Sequence, residues 1–232
     1  MEEGGDRIRA TYRDNYDRLA QVKQRYDREN VFHVNQNIKP AAAAAMSTGD
    51  LYVRAMNATR ARIDAVRSDQ WNAATPCTEW NVKQVTNHLI GENLWAVELL
   101  QGKTIAEVGN RLDGDLAGDN PAGAYADSVR SASLVCAAPG AMEATCHLSF
   151  GDYSGADYAA QLFMDALIHG WDIAKATGQD TRLDPQLVEA CMPIAEELTN
   201  QFRSAGVFGD NLSVESTADA QTRLLALVGR RA

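Results

Sequence analysis

Residues 155–178, GADYAAQLFMDALIHGWDIAKATG, decide how this chain is read. Ser154 offers a helix N-cap just ahead of the stretch, and Gly178 supplies a stop, so one long helix is expected from Gly155 to Thr177. Within it, Asp165 and His169 are four residues apart. On a helix that spacing points a carboxylate and an imidazole the same way, one turn apart. Both share the face of the apolar Leu162. An acid beside large apolar residues is costly to bury unless it is paired or bound to a cation.

A second helix supplies the third candidate. His88 lies mid-helix on the face of Val85 and Leu89. One imidazole from a facing helix, added to Asp165 and His169, makes a three-ligand metal site with an open position. Two imidazoles and a carboxylate suit Zn²⁺, and also accept Ni²⁺, Fe²⁺ or Co²⁺. A metal so held lowers the pKa of a bound water or thiol. Asp172, three residues past His169, is placed to orient that imidazole from outside the ligand set. The spacing also fits two unrelated helix histidines and a solvated surface acid, and from spacing alone that is the simpler reading. Glu92, four residues past His88, is either an alternative ligand or, more simply, an exposed acid.

The remaining candidates have plainer expectations. His147 is expected in a loop and His33 as a structural residue. Cys146 and His147 are adjacent, which on an extended segment points them apart, so they make a poor nucleophile and base. Trp80 and Trp171 are expected as core anchors, and Met56, Met142, Met164 and Met192 as core filler.

Composition bounds the class. The 232 residues are 45% apolar and 23% charged, enough for a full soluble core. A net charge of −9 and the lack of a basic stripe argue against a nucleic-acid partner. No apolar run has the length of a membrane span. The acidic start, Met1, Glu2, Glu3, Gly4, Gly5, Asp6, is unlike a secretory signal. The four cysteines form no CxxC, so free thiols in a reducing cytoplasm are expected.

Charge divides the chain. Residues 1–45 carry +1 and residues 46–232 carry −10. Pro40 and the Ala41–Ala45 run mark the seam, giving an appendage over 1–45 and a helical module over 46–232. In the appendage, Tyr12, Tyr16, Leu19, Val22 and Tyr26 predict one short helix, followed by an extended Val31–Val34. In the module, Ser47 with Asp50 and Asn81 with Gln84 predict capped helices over about 48–66 and 82–102. Asn120 and Pro121 open a third helix, to about Ala138. Thr145–Tyr153 is a short strand or an irregular turn. Beyond the long helix, Asp184 and Pro185 open another that ends near Gly206, and Thr217–Val228 forms the last. The first four helices of the module have bundle length.

The same segments resemble a family. Thr75, Pro76, Cys77, Trp80 and Val82, then His88, Leu89 and Gly91, are similar to the TPC-x-x-W-x-V and HL-x-G signature of DinB-like actinobacterial proteins related to mycothiol-dependent maleylpyruvate isomerase. His169, Gly170, Trp171, Asp172 and Ala174, with Ala176, Thr177 and Gly178, resemble that family's HGWD-containing segment. Arg223–Arg230 resembles the tail of one branch. The resemblance covers about 46–232. It implies an all-α, DinB-like four-helix bundle, here with additional C-terminal helices and a short N-terminal appendage. It further implies a divalent metal held by His, Glu and His, at the positions of His88, Asp165 and His169. Asp replaces the usual Glu, one methylene shorter, so the metal sits closer to the long helix or is reached through water. With the family context, the metal site becomes the favoured reading. The implied activity is a cytoplasmic isomerase or transferase acting on a small electrophile, with a low-molecular-weight thiol such as mycothiol or bacillithiol activated at the metal. The alternative is a bundle that dimerises and binds a metal or ligand without turnover.

Residues 1–45 resemble something else. Tyr12–Lys23, Tyr26, Asp27 and Asn30–Ile38 are similar to the C-terminal segment of berberine-bridge-type FAD oxidoreductases. In those enzymes the segment closes a large flavoprotein. Without the FAD-binding domain it is not expected to bind FAD, and it reads as a fusion remnant, a recombination product or an extended start ahead of Met46. A fragment linked to an FAD-dependent oxidoreductase is the further alternative.

Overall fold

A computed structural model of the chain describes residues 3–13, 15–27, 30–33, 37–39, 46–202 and 210–232. The chain divides into two compact units, Met1–Met46 and Ser47–Ala232.

Among its described residues the first unit has two helices, where one was expected. Helix α1 spans Glu3–Tyr12 and α2 spans Asn15–Tyr26. Arg13, at φ 44°, takes the left-handed conformation that interrupts the run. No strand follows among the described residues. Instead the Asp27 carboxylate accepts from the backbone N–H groups of Val31 (2.6 Å) and Phe32 (3.1 Å), which bends the chain. Val34–Gln36 and the alanine run lie outside the described residues.

The second unit is a DinB-like helical bundle. Its four main helices are α3 (Thr48–Asp64), α4 (Val82–Leu99), α6 (Pro121–Cys136) and α7 (Gly155–Thr177). Each of α3 and α4 packs against both α6 and α7, which closes the ring. Side-chain chemistry sets the starts. Ser47 and Asp50 form a reciprocal capping box, as do Asn81 and Gln84, with both Asn81–Gln84 bonds at 2.9 Å. Pro121 occupies the first turn of α6 behind the cap Asn120, and Ser154 caps α7. Gly178, at φ 69°, ends α7 in the left-handed conformation.

Short elements fill the connections. Helix α5 (Ile105–Val108) starts from a Thr104–Glu107 capping box. Thr145–Leu148 (β1) and Gly151–Ser154 (β2) pair antiparallel as a hairpin. Helix α8 (Pro185–Phe202) packs on α7, and α9 (Ala220–Leu227) packs on α8. The expected end of α8 near Gly206 lies outside the described residues.

The core runs along α7, whose face from Leu162 to Ala174 is almost wholly buried. Trp171 and Phe163 are fully enclosed there. Helix α3 approaches α7 closely at Gly170, where an added Cβ would lie 2.1 Å from the Thr59 hydroxyl oxygen. That hydroxyl donates to the Ala166 carbonyl at 2.8 Å. The closeness fixes the rotation of α7, and with it the direction of Asp165 and His169. Met56 and Met164 are buried core residues, while Met142 and Met192 are partly buried at its edge. All four cysteines are free thiols. Among the described residues, no helix is long and apolar enough to cross a membrane.

Candidate metal centre

The seam between α4 and α7 brings His88, Asp165 and His169 together. Asp165 lies between the two imidazoles, with Oδ2 3.0 Å from His88 Nε2 and Oδ1 3.4 Å from His169 Nε2. One donor atom from each residue lies within 4.8 Å of the others. Donors bound tetrahedrally to one ion at about 2.0–2.2 Å stand about 3.4 Å apart, so this spacing fits a shared cation. The shorter Asp, in place of Glu, still reaches both rings.

Charge is concentrated here. Burial disfavours the charged form of His88, but Asp165 beside it and Glu92 nearby overcome this and push its pKa up to about 9. Burial likewise opposes the Asp165 carboxylate, yet His88, His169 and Arg230 hold it down at about 2. Glu92 is not an exposed acid. Its side chain is 34% exposed, with Oε1 3.9 Å from His88 Nδ1. Burial and the Asp165 charge push it up to about 7.

Asp172 stands behind His169, as its spacing suggested. It is fully buried, and its Oδ2 lies 2.9 Å from His169 Nδ1. An Nδ1–H donated to this carboxylate leaves the Nε2 lone pair facing Asp165 and the shared space. The Asp172 oxygens are in turn gripped by Arg230, through Nε at 3.3 Å and Nη2 at 3.0 Å.

Trp80 is more than a core anchor. Its ring is only partly buried and lies against both imidazoles, with centroids 4.7 Å from His88 and 5.7 Å from His169. The Thr75–Trp80 turn holds it there. The Thr75 hydroxyl sits against the carbonyls of Cys77 (3.0 Å) and Trp80 (2.7 Å) and accepts from the Cys77 N–H at 3.2 Å. Cys77 lies close enough to feel both Asp165 and Arg230, and burial pushes its thiol up.

Other expectations resolve elsewhere. His147 is in β1, not a loop, and its Nδ1 faces Asp152 across the hairpin at 2.8 Å. Cys146 beside it is fully buried. His33 is exposed and bonds the Asn30 carbonyl at 2.8 Å. Two residues escape sequence reasoning, Trp80 and Arg230. Trp80 had a signal in its position just before the α4 cap, two turns from His88. Arg230 had its place at the end of the Arg223–Arg230 stretch that resembles a family tail, and nothing in the spacing tied it to Asp172.

A helical bundle with a His, Asp and His cluster along one seam defines the class as DinB-like. The chain belongs to the mycothiol maleylpyruvate isomerase N-terminal domain family, whose model matches residues 52–174. The berberine and berberine-like family matches residues 2–39. An uncharacterized protein of Mycobacterium tuberculosis, found in two strains, is 34% identical over 183 residues, covering 76% of this chain and 94% of the relative. No solved structure matches the chain significantly.

Proposed function

We propose that the protein is a divalent-metal-dependent enzyme of the mycothiol-linked isomerase or transferase type, working on a small electrophile in the cytoplasm. The observation that carries this reading is the convergence of His88, Asp165 and His169 on one space, with His169 backed by a buried carboxylate. That donor set favours Zn²⁺, with Ni²⁺, Fe²⁺ or Co²⁺ as alternatives, and a bound ion would supply Lewis acidity that lowers the pKa of a thiol or water.

The chain's own residues prepare the space. Asp172 holds the His169 ring so that Nε2, not Nδ1, is presented. Asp165 bridges both imidazoles and places one negative charge between them. Trp80 lies against both rings and gives that side of the space an apolar wall. Glu92, half-buried with its pKa pushed up to about 7, stands beside His88 as a second carboxylate facing the same region.

The reading makes a direct demand on the purified protein. Elemental analysis should find about one divalent metal per chain, and His169→Ala should lose it. A wild-type protein without metal, and with a thermal midpoint that chelator does not move, sinks the proposal. Metal uptake without thiol-dependent turnover across a panel of electrophiles would assign the site to binding, not catalysis.

A further inference from the structure

The family match ends at residue 174, yet a residue near the C-terminus reaches the candidate metal centre. Helix α9 ends in a Schellman turn. The Gly229 N–H bonds the Ala226 carbonyl at 3.1 Å, and the Arg230 N–H bonds the Leu225 carbonyl at 2.8 Å. Gly229 permits this because its φ is 78°, a conformation that other residues adopt at a cost. The turn swings the chain back toward α7 and delivers the Arg230 side chain, which is 13% exposed, to Asp172.

All three guanidinium nitrogens are engaged. Nε and Nη2 take the two oxygens of Asp172, and Nη1 donates to the Val228 carbonyl at 3.0 Å. Asp172 is a fully buried carboxylate, and such a group is stable only when paired and hydrogen-bonded. Its Oδ2 is shared between Arg230 and His169 Nδ1. A bidentate fork fixes the plane of a carboxylate as well as its charge, which a lysine ammonium cannot do. The carboxylate plane fixes the direction of the His169 ring.

We infer that Arg230 is a positioning residue of this centre, aiming His169 Nε2 through Asp172, so that the C-terminal turn after α9 is a working part of the site. The inference rests on the metal reading above. It gives the C-terminal helices a role beyond packing. A chain that stopped after α7 would keep all three candidate ligands but leave Asp172 buried without its cation.

Two readouts test it together. The first is Zn²⁺ or Co²⁺ affinity of the full chain, with the Co²⁺ visible spectrum recorded alongside. Arg230→Ala should weaken the metal by about tenfold, within the 10–100-fold range that follows loss of a ligating histidine's own carboxylate partner, and Arg230→Lys should recover only part of it. The second is the downfield ¹H resonance of the His169 Nδ1 proton in metal-free protein, which should be present in wild type and lost or broadened in Arg230→Ala. A purely structural pairing of α9 with α7 would lower stability but leave the affinity and spectrum of the folded fraction unchanged. An Arg230→Ala affinity within twofold of wild type overturns the inference. If wild type binds no metal, the functional proposal fails on its own, and the proton resonance decides here: its persistence in Arg230→Ala overturns the inference. If Arg230→Ala does not fold, Arg230→Gln carries the same two readouts.

Discussion

His88 and Asp165 form an ion pair at 3.0 Å, and the same atoms are the proposed ligands. A metal must therefore displace a proton. The His88 pKa is raised from 6.5 to about 9, so its contribution to stability is complete below about pH 6.5 and lost as pH rises through 9. The Asp165 pKa is lowered from 3.8 to about 2, so its contribution is present above about pH 3.8 and lost as pH falls through 2. For metal-free protein, the thermal midpoint attributable to this pair should fall from pH 6.5 to 9. Metal affinity should move the other way, rising about tenfold per pH unit up to about pH 9, as one proton leaves His88. Calorimetric titration near pH 7.5, in two buffers of different ionisation enthalpy, should count about one proton released per metal. A count of zero would mean that His88 is not displaced, and so is not a ligand.

Between α3 and α7 the controlling feature is an absence of side chain. Gly170 lies in a helix interior, where alanine would ordinarily be favoured by about 1 kcal/mol. Here an added methyl meets Thr59 Oγ1 at 2.1 Å and Thr59 Cβ at 3.1 Å, and Thr59 is fixed by its bond to the Ala166 carbonyl. Gly170→Ala should therefore destabilise by about 1–3 kcal/mol, an overpacking cost. For a unit of this size that is roughly 2–4 °C of thermal midpoint for each kcal/mol. An unchanged or raised midpoint would show that Thr59 gives way. Elements of this kind differ in how far sequence exposes them. The starts of α3, α4, α6 and α7 were legible because caps are local: Ser47 with Asp50, Asn81 with Gln84, Asn120 with Pro121, and Ser154 each satisfy orphan N–H groups within one turn. The candidate ligands were legible as a spacing in α7 plus one histidine in α4. What joins them was not. The Thr59 contact spans 107 residues and the Arg230–Asp172 pair spans 58, and neither leaves a periodic trace. Helix α1 was hidden for a different reason, since the apolar spacing that predicts a helix in the first unit begins only at Tyr12.

At the scale of the whole chain, the acidic balance and the core both belong to the second unit. Residues 46–232 carry −10 of the charge, and the hydrophobic cluster runs from Leu51 to Val228. In the first unit, Val22, Tyr26, Val31 and Phe32 are exposed, and the berberine-like match covers only residues 2–39. A segment that short is not expected to enclose a flavin. We propose that the second unit folds and binds metal by itself. The shortened chain Ser47–Ala232 should then unfold with the same thermal midpoint as the full protein and take up the same metal, as judged by calorimetry and elemental analysis. The full protein should leave the fluorescence of added FAD unquenched. A midpoint several degrees lower in the shortened chain would instead make residues 1–46 part of the bundle's stability. Saturable quenching of FAD would give the first unit a ligand of its own. These outcomes are independent, because the first tests what stabilises the bundle and the second tests what its N-terminal neighbour can hold.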